Sequence, residues 1–283
     1  MVITADLVKK LRDATGAGMM DCKKALTEAN GDFAEAEKIL KKMGLAAVAK
    51  RQDRATDNGR VFVSIAKDKA VMISLTCETD FVATNKEFIA LGEKICAVAL
   101  EKGYTTINDE LNALVTDLIS IIKENMSLAS LTVYDIASDE YAASYTHGEG
   151  SLAVLVKLKA NDPALFENAE VKEFANDLAL HVAAFTPMYL SRDKVDEKYI
   201  ADQVEIFAAQ AAKLDKPEKV VEGIVKGKLA KHLSEICFLD QSFVKDDSVT
   251  VAQKTQALSK ALGGTIEVVD YAYLKAGWAA CAV

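Results

Sequence analysis

The chain has 283 residues, about half of them apolar, enough for a real core and for two or more domains. Its 34 basic residues stand against 42 acidic ones, a formal net charge of −8, which argues against broad binding to a phosphate backbone. The five cysteines (Cys22, Cys77, Cys96, Cys237, Cys281) form no Cys-x-x-Cys pair, so they imply neither a disulfide framework nor a zinc ribbon and suit a reducing compartment.

Residues 1 to about 50 read as three short helices. Thr4 can cap the first, with Asp6 in its first turn, and Thr15-Gly16-Ala17-Gly18 breaks it. The second runs from about Met19 to Asn30-Gly31, a left-handed ending. Asp32 opens the third, Glu35 is placed for a capping box, and Gly44 is expected to end it. Lys41-Lys42 and Lys50-Arg51 are the densest basic pairs and read as a solvated face. Arg51 to Gly59 is a polar linker, with a turn expected at Asp57-Asn58-Gly59.

Alternation then replaces helical spacing. Val61, Val63 and Ile65 are expected on one face of a strand, which returns over Val71 to Cys77 after a turn at Asp68-Lys69. Helices follow at about Lys86 to Leu100 and Asp109 to Met126. Strands at Tyr141 to Thr146 and Leu152 to Leu158, turning at His147-Gly148-Glu149-Gly150, precede a helix at Ala169 to Phe185. Hairpin-then-helix thus occurs twice, with Lys-Glu-Phe (Lys86 to Phe88, Lys172 to Phe174) opening both helices. Residues 190 to about 236 are charged and helical, split at Asp215-Lys216-Pro217, and their narrow stripes predict an antiparallel helical hairpin. Ile200, Val204, Phe207 and Ala211 make the first stripe. Short strands near Phe243-Val244 and at Thr265 to Leu274 flank a helix at Val249 to Leu262.

No targeting segment is expected at the N-terminus, and no uncharged apolar stretch is long enough to span a bilayer. No nucleotide-site or hydrolase motif stands out. His147, His181 and His232 are far apart without metal-ligand spacing, so neither a metal nor a cofactor is expected. His181 lies on an apolar helix face and reads as a core histidine. His147 sits at a hairpin tip, either as a solvated turn residue or as a contact. Met19 and Met20 cannot both face one side of a helix, so one is expected to point outward, unless both pack in the small bundle. Thr79-Asp80-Phe81-Val82 follows a strand and reads either as a helix cap with a staple or as an exposed working tip.

The run Arg12-Asp13-Ala14-Thr15-Gly16-Ala17-Gly18-Met19-Met20-Asp21-Cys22-Lys23-Lys24-Ala25-Leu26 resembles the signature of the translation elongation factor Ts family. Thr79 to Val82 is similar to that family's second signature, and Ser144 to Gly148 and His181 to Ala184 with Pro187 also match. The charged hairpin resembles the coiled-coil insertion of bacterial members. The resemblance implies an α+β fold: a three-helix, UBA-like docking module (1–53), core subdomains with small antiparallel sheets at 54–140 and at 141–188 with 237–277, a protruding coiled-coil hairpin (189–236) and a short tail (278–283).

It further implies a cytoplasmic, non-enzymatic guanine-nucleotide exchange factor whose partner is the GTPase elongation factor Tu. No direct contact with nucleic acid or membrane is implied, and a dimer of heterodimers is left open. Thr79, Asp80, Phe81 and Val82 would dislocate the partner's Mg²⁺, with Phe81 as wedge and Asp80 disturbing the ion's contacts. Arg12, Met19, Met20 and Lys23 would bind the GTPase domain, and His147 would grip another domain. Three departures stand out. Lys123-Glu124-Asn125 replaces a Gly-Glu-Asn, putting one contact loop in doubt, and Gln241-Ser242-Phe243-Val244 replaces Gln-Pro-Phe-Val. The family's helical tail is cut short after Gly277, so its partner contact is expected to be weak or absent. Two rival readings are a chaperone-like partner that holds without exchanging, and an enzyme using Asp80 with a histidine brought near by folding.

Overall fold

The computed structural model describes residues 3–214 and 217–277. The Asp215-Lys216 part of the expected proline turn, the tail at 278–283 and Cys281 lie outside the described residues. The chain divides into two units. One holds the residues up to Tyr134, Gly148–Ser151 and the stretch from Leu274; the other holds Asp135–His147 and Leu152–Tyr273.

The first unit opens with α1 (Ala5–Thr15), α2 (Met19–Glu28) and α3 (Phe33–Ala49). The Thr4 side chain accepts from the Leu7 amide and Asp32 from the Glu35 amide, satisfying two of the donors that a helix start leaves unpaired. Val8, Leu11, Cys22, Ala25, Leu26, Ala36 and Leu40 make a small core of their own. Gly44 does not end α3, which continues to Ala49. A Cβ there would lie 2.9 Å from the Ser120 Cβ, so the glycine marks close packing rather than a stop.

Next come β1 (Asn58–Ile65), β2 (Lys69–Cys77), the single-turn helix α4 (Asp80–Ala83), α5 (Lys86–Lys102), α6 (Asp109–Ile122) and β3 (Met126–Asp135), with sheet order β1-β2-β3. Asn58-Gly59 is not a turn: Asn58 pairs with Cys77 and Gly59 with Thr76 in antiparallel register. A Cβ on Gly59 would come 2.2 Å from the Leu75 carbonyl oxygen, so the two strands touch through bare backbone. Val61, Val63 and Ile65 share one face of β1 as expected, and burial falls along it from Val61, which is buried, to Ile65, which is exposed. Phe62 packs over Gly92 of α5, its ring centroid 6.4 Å from that of Phe88. The helix expected to reach Met126 stops at Ile122, because Lys123 turns left-handed (φ 67°). Met126, Leu128 and Ser130 are then buried while Ser127 and Ala129 are exposed, the alternation of a half-covered strand. Strand β3 is therefore a correction to the sequence reading. The buried core joins Ile73, Leu75, Phe88, Ile95, Leu111 and Val115.

In the second unit, β4 (Glu140–His147) pairs antiparallel with β5 (Leu152–Ala160), and β8 (Ile266–Lys275) joins on the other side of β5. Helix α7 (Ala169–Phe185) lays Val171, Phe174, Leu178 and Val182 into this unit's core. It opens three residues before Lys172, so the Lys-Glu-Phe likeness to α5 is not one of helix starts. Helices α8 (Glu197–Ala212) and α9 (Glu218–Ile236) form the hairpin. It is joined by the Tyr199 hydroxyl 2.8 Å from His232 Nε2 and by Lys228 donating to Gln210. Only Ala211 is buried in α8, and Val204 of the expected stripe is exposed. Strands β6 (Ser242–Phe243) and β7 (Asp246–Thr250) lead to α10 (Val251–Leu262), which starts two residues later than expected because Thr250 and Gln253 close a capping box.

His181 is fully buried in this unit. Its Nδ1 accepts from the Val244 amide and its Nε2 lies 2.9 Å from the Gln241 side-chain oxygen, which fixes a neutral ring protonated at Nε2. Burial lowers its pKa, opposed by the Gln241 hydrogen bond. Cys22, Cys77, Cys96 and Cys237 are all buried and unpaired with one another. Burial pushes the Cys77 and Cys96 thiols up to about 12, so they pack as small hydrophobes.

Candidate functional site

Strand β2 is buried along nearly its whole length and delivers the chain into Glu78-Thr79, where the burial ends. Thr79 is extended (φ −126°, ψ 155°) and caps α4, its hydroxyl oxygen accepting from the Val82 amide at 3.3 Å. The Thr79 amide donates to Glu124 Oε2 at 3.2 Å, and its hydroxyl lies 3.0 Å from both Glu124 oxygens. Glu78 is tied down as well. Its carboxylate accepts from the Asn125 amide at 2.6 Å and from Arg54, and its carbonyl accepts from Asn58 Nδ2. At the far end of α4, Arg60 Nε donates to the Ala83 carbonyl while its NH2 group reaches Glu149 at 3.0 Å.

The two sides of this turn differ sharply. Val82 and Ala83 are buried in the core that holds Phe88. Phe81 is 82% exposed, and Asp80 beside it is also exposed. The Asp80 carboxylate takes no hydrogen bond or ion pair from the described residues. The cap and the exposed tip, alternatives in the sequence, are thus the same four residues. Val82 is the inward anchor, so only Asp80 and Phe81 present side chains to solvent.

On the three-helix module of the same unit, Cys22, Ala25 and Leu26 form the buried face of α2. Met19 and Met20 are 44% and 75% exposed, so both methionines face water where one was expected to. Arg12 and Lys23 are exposed too. Asp21, between Met20 and Cys22, pairs with Lys123 Nζ at 2.7 Å. A cavity of about 460 Å³ adjoins that pair, lined in part by Glu37, Lys41, Arg51 and Asp117, so Arg51 belongs to this cavity and not to a solvated face. His147 belongs to the second unit, exposed at the end of β4 with Nδ1 3.0 Å from the Tyr145 hydroxyl. Sequence reasoning missed the parts played by Arg60, Glu124 and Asp21. Their signal was spatial, because Glu124 lies 45 residues from the threonine it holds.

Among the described residues, no group of three or more His, Cys, Asp or Glu is placed to hold a metal ion, and no helix is long and apolar enough to cross a membrane.

The profile of the family described as Elongation factor TS matches residues 78–278, beginning one residue before the cap. Elongation factor Ts of Treponema denticola is 50% identical over 268 residues, 95% of this chain and 96% of that protein. The chain belongs to the elongation factor Ts family. Elongation factor Ts of Borrelia recurrentis is 44% identical over 98% of this chain and 100% of its own length. That of Borreliella burgdorferi is 44% identical over 98% and 99%. These alignments reach the three-helix module, which the profile match does not. The chain is a translation elongation factor with the α+β fold of mixed helices and small sheets.

Proposed function

We propose that the chain is a guanine-nucleotide exchange factor for elongation factor Tu, with Asp80-Phe81 as the tip that acts and the α1–α3 module as the part that docks. One observation carries this reading: a phenylalanine left 82% in water at the end of a buried strand, on a turn whose other side is core. A single apolar side chain in water is ordinary; what supports the reading is that this one stands beside an exposed carboxylate, on a capped turn held to the core by Val82 and Ala83, within the segment that resembles the family's second signature.

The chemistry acts on the partner. A translational GTPase holds GDP through its phosphate loop and a Mg²⁺ ion that neutralises phosphate charge. Phe81, entering as a wedge, would shift the groups around that ion. The Asp80 carboxylate would compete for its ligands or repel the phosphates. With the ion loosened, the phosphates repel one another and GDP leaves. Met19 and Met20, adaptable apolar contacts, with Arg12 and Lys23, would hold the GTPase domain, and His147 another domain. Binding of this chain and of nucleotide must then weaken each other by the same factor, so incoming GTP expels the factor. No covalent bond is made or broken.

The test is release of fluorescent GDP from the cognate GTPase at physiological Mg²⁺ with catalytic amounts of this chain. Phe81→Ala is expected to slow saturated release by about tenfold or more, the loss of a fully buried aromatic contact at the interface, and to leave thermal stability nearly unchanged. A stable complex without acceleration would support the non-exchanging partner instead.

A further inference from the structure

We infer that Glu124 and Arg60 are positioning residues that hold α4 rigid from its two ends and so fix the direction of Phe81. The inference rests on the exchange-tip reading of Asp80-Phe81.

A four-residue helix cannot hold itself. Fixing a first turn costs more conformational freedom than its one or two hydrogen bonds return. Here the internal bonds run from the Ala83 amide to the Thr79 carbonyl at 3.2 Å and from the Thr84 amide to the Asp80 carbonyl at 3.1 Å. Val82 and Ala83 anchor the inner side. What remains is the rotation of the turn, and two charged side chains from distant parts of the sequence oppose it. Glu124 takes both the amide and the hydroxyl of Thr79, placing a carboxylate at the amide-rich start of the turn. Arg60 donates to the Ala83 carbonyl, placing a guanidinium at its carbonyl-rich end. Each charge has the sign that the backbone dipoles at its end attract. The Arg60 side chain is only 13% exposed and is oriented from behind by Glu149, so it is poorly screened by water. Neither residue belongs to the exposed pair or to the docking module; Glu124 lies in the segment whose partner contact Lys123 put in doubt, but its carboxylate is turned inward onto Thr79. Their loss should therefore act on the step the tip performs and spare the step that brings the partners together.

The experiment uses the full chain and its GTPase with fluorescent GDP, varying the factor to separate the saturated release rate from the half-saturating concentration. Amide hydrogen exchange of the free factor runs in parallel. Glu124→Ala and Arg60→Met are each expected to lower the saturated rate about tenfold, the scale of one charge-assisted hydrogen bond, with half-saturation changed less than about threefold. Amides of residues 82–85 should exchange about tenfold faster while those of β1 and β2 keep their protection. Arg60→Lys, which keeps a cation near the Ala83 carbonyl, should restore part of the rate. Wild-type rates with unchanged protection at 82–85 would overturn the inference. If Phe81→Ala is slow while Glu124→Ala and Arg60→Met run at full rate, the inference fails and the tip reading stands. If Phe81→Ala runs at full rate, the tip reading fails, and protection at 82–85 still decides whether the turn is held as described. Protection lost throughout β1 and β2 would make these residues structural and overturn the positioning role.

Discussion

Two side chains show what single positions contribute. Lys123 occupies a left-handed position (φ 67°), and a lysine there bears a modest backbone cost. In return its ammonium reaches Asp21 on α2. The lysine therefore ties the turn after α6 to the methionine-bearing helix. His181 is the second case. Its folded pKa is lowered, so the unfolded chain binds the extra proton first as pH falls. Stability is thus full above the unfolded value near 6.5 and is lost as pH falls through that value toward the lower folded one. Urea unfolding at pH 7.5 and 5.5 should show this decline. His181→Phe should flatten it, at a cost at pH 7.5 of about 1–3 kcal/mol for each of the two polar groups left unpaired, the Val244 amide and the Gln241 oxygen. An equal decline in the variant would assign the pH dependence to other groups.

Helices with the same residue behave in opposite ways. Gly223 and Gly227 lie inside α9 with nothing within 4 Å of where a Cβ would stand. Alanine there should stabilise the chain by about 0.5–1 kcal/mol per site, since only backbone freedom in the unfolded state is at stake. Gly92 sits inside α5 with the Phe62 ring 2.2 Å from such a Cβ. Gly92→Ala should destabilise by about 1–3 kcal/mol as the ring is forced aside. Thermal melts of the variants would check both signs, and a destabilising Gly223→Ala would mean that α9 packs more closely than its contacts indicate. The same contrast explains what the sequence disclosed. Caps such as Thr4 and Asp32 and the bounds of α7 are local chemistry and were legible, whereas the Thr250 cap was passed over and α10 was placed two residues early. Gly44 and Gly59 were misread as punctuation because their reason lies in Ser120 and in the Leu75 carbonyl, far along the chain. Strand β3 was lost because its apolar residues follow an equally apolar helix, and only the left-handed Lys123 separates them.

At the scale of the molecule, the α+β plan with a hairpin-and-helix theme in each unit could be read from alternation and spacing. The tip could be located but not understood. Its residues Thr79 to Val82 are contiguous, whereas the groups that fix it, Glu124 and Arg60, come from positions no local pattern connects. The methionines carried the same ambiguity, since helical spacing cannot say whether a neighbouring helix covers a face; in the fold Met20 is largely open to water and Met19 partly so.

The exposed ring of Phe81 has a calorimetric consequence. When it is covered, the ring sheds the hydration shell of its exposed surface. Association with the GTPase should then carry a negative heat-capacity change to which this ring alone contributes on the order of 70–100 cal/mol/K. Titration calorimetry at several temperatures with Phe81→Ala should show the change shrink by about that amount, and an unaltered value would mean that the ring stays wet in the complex.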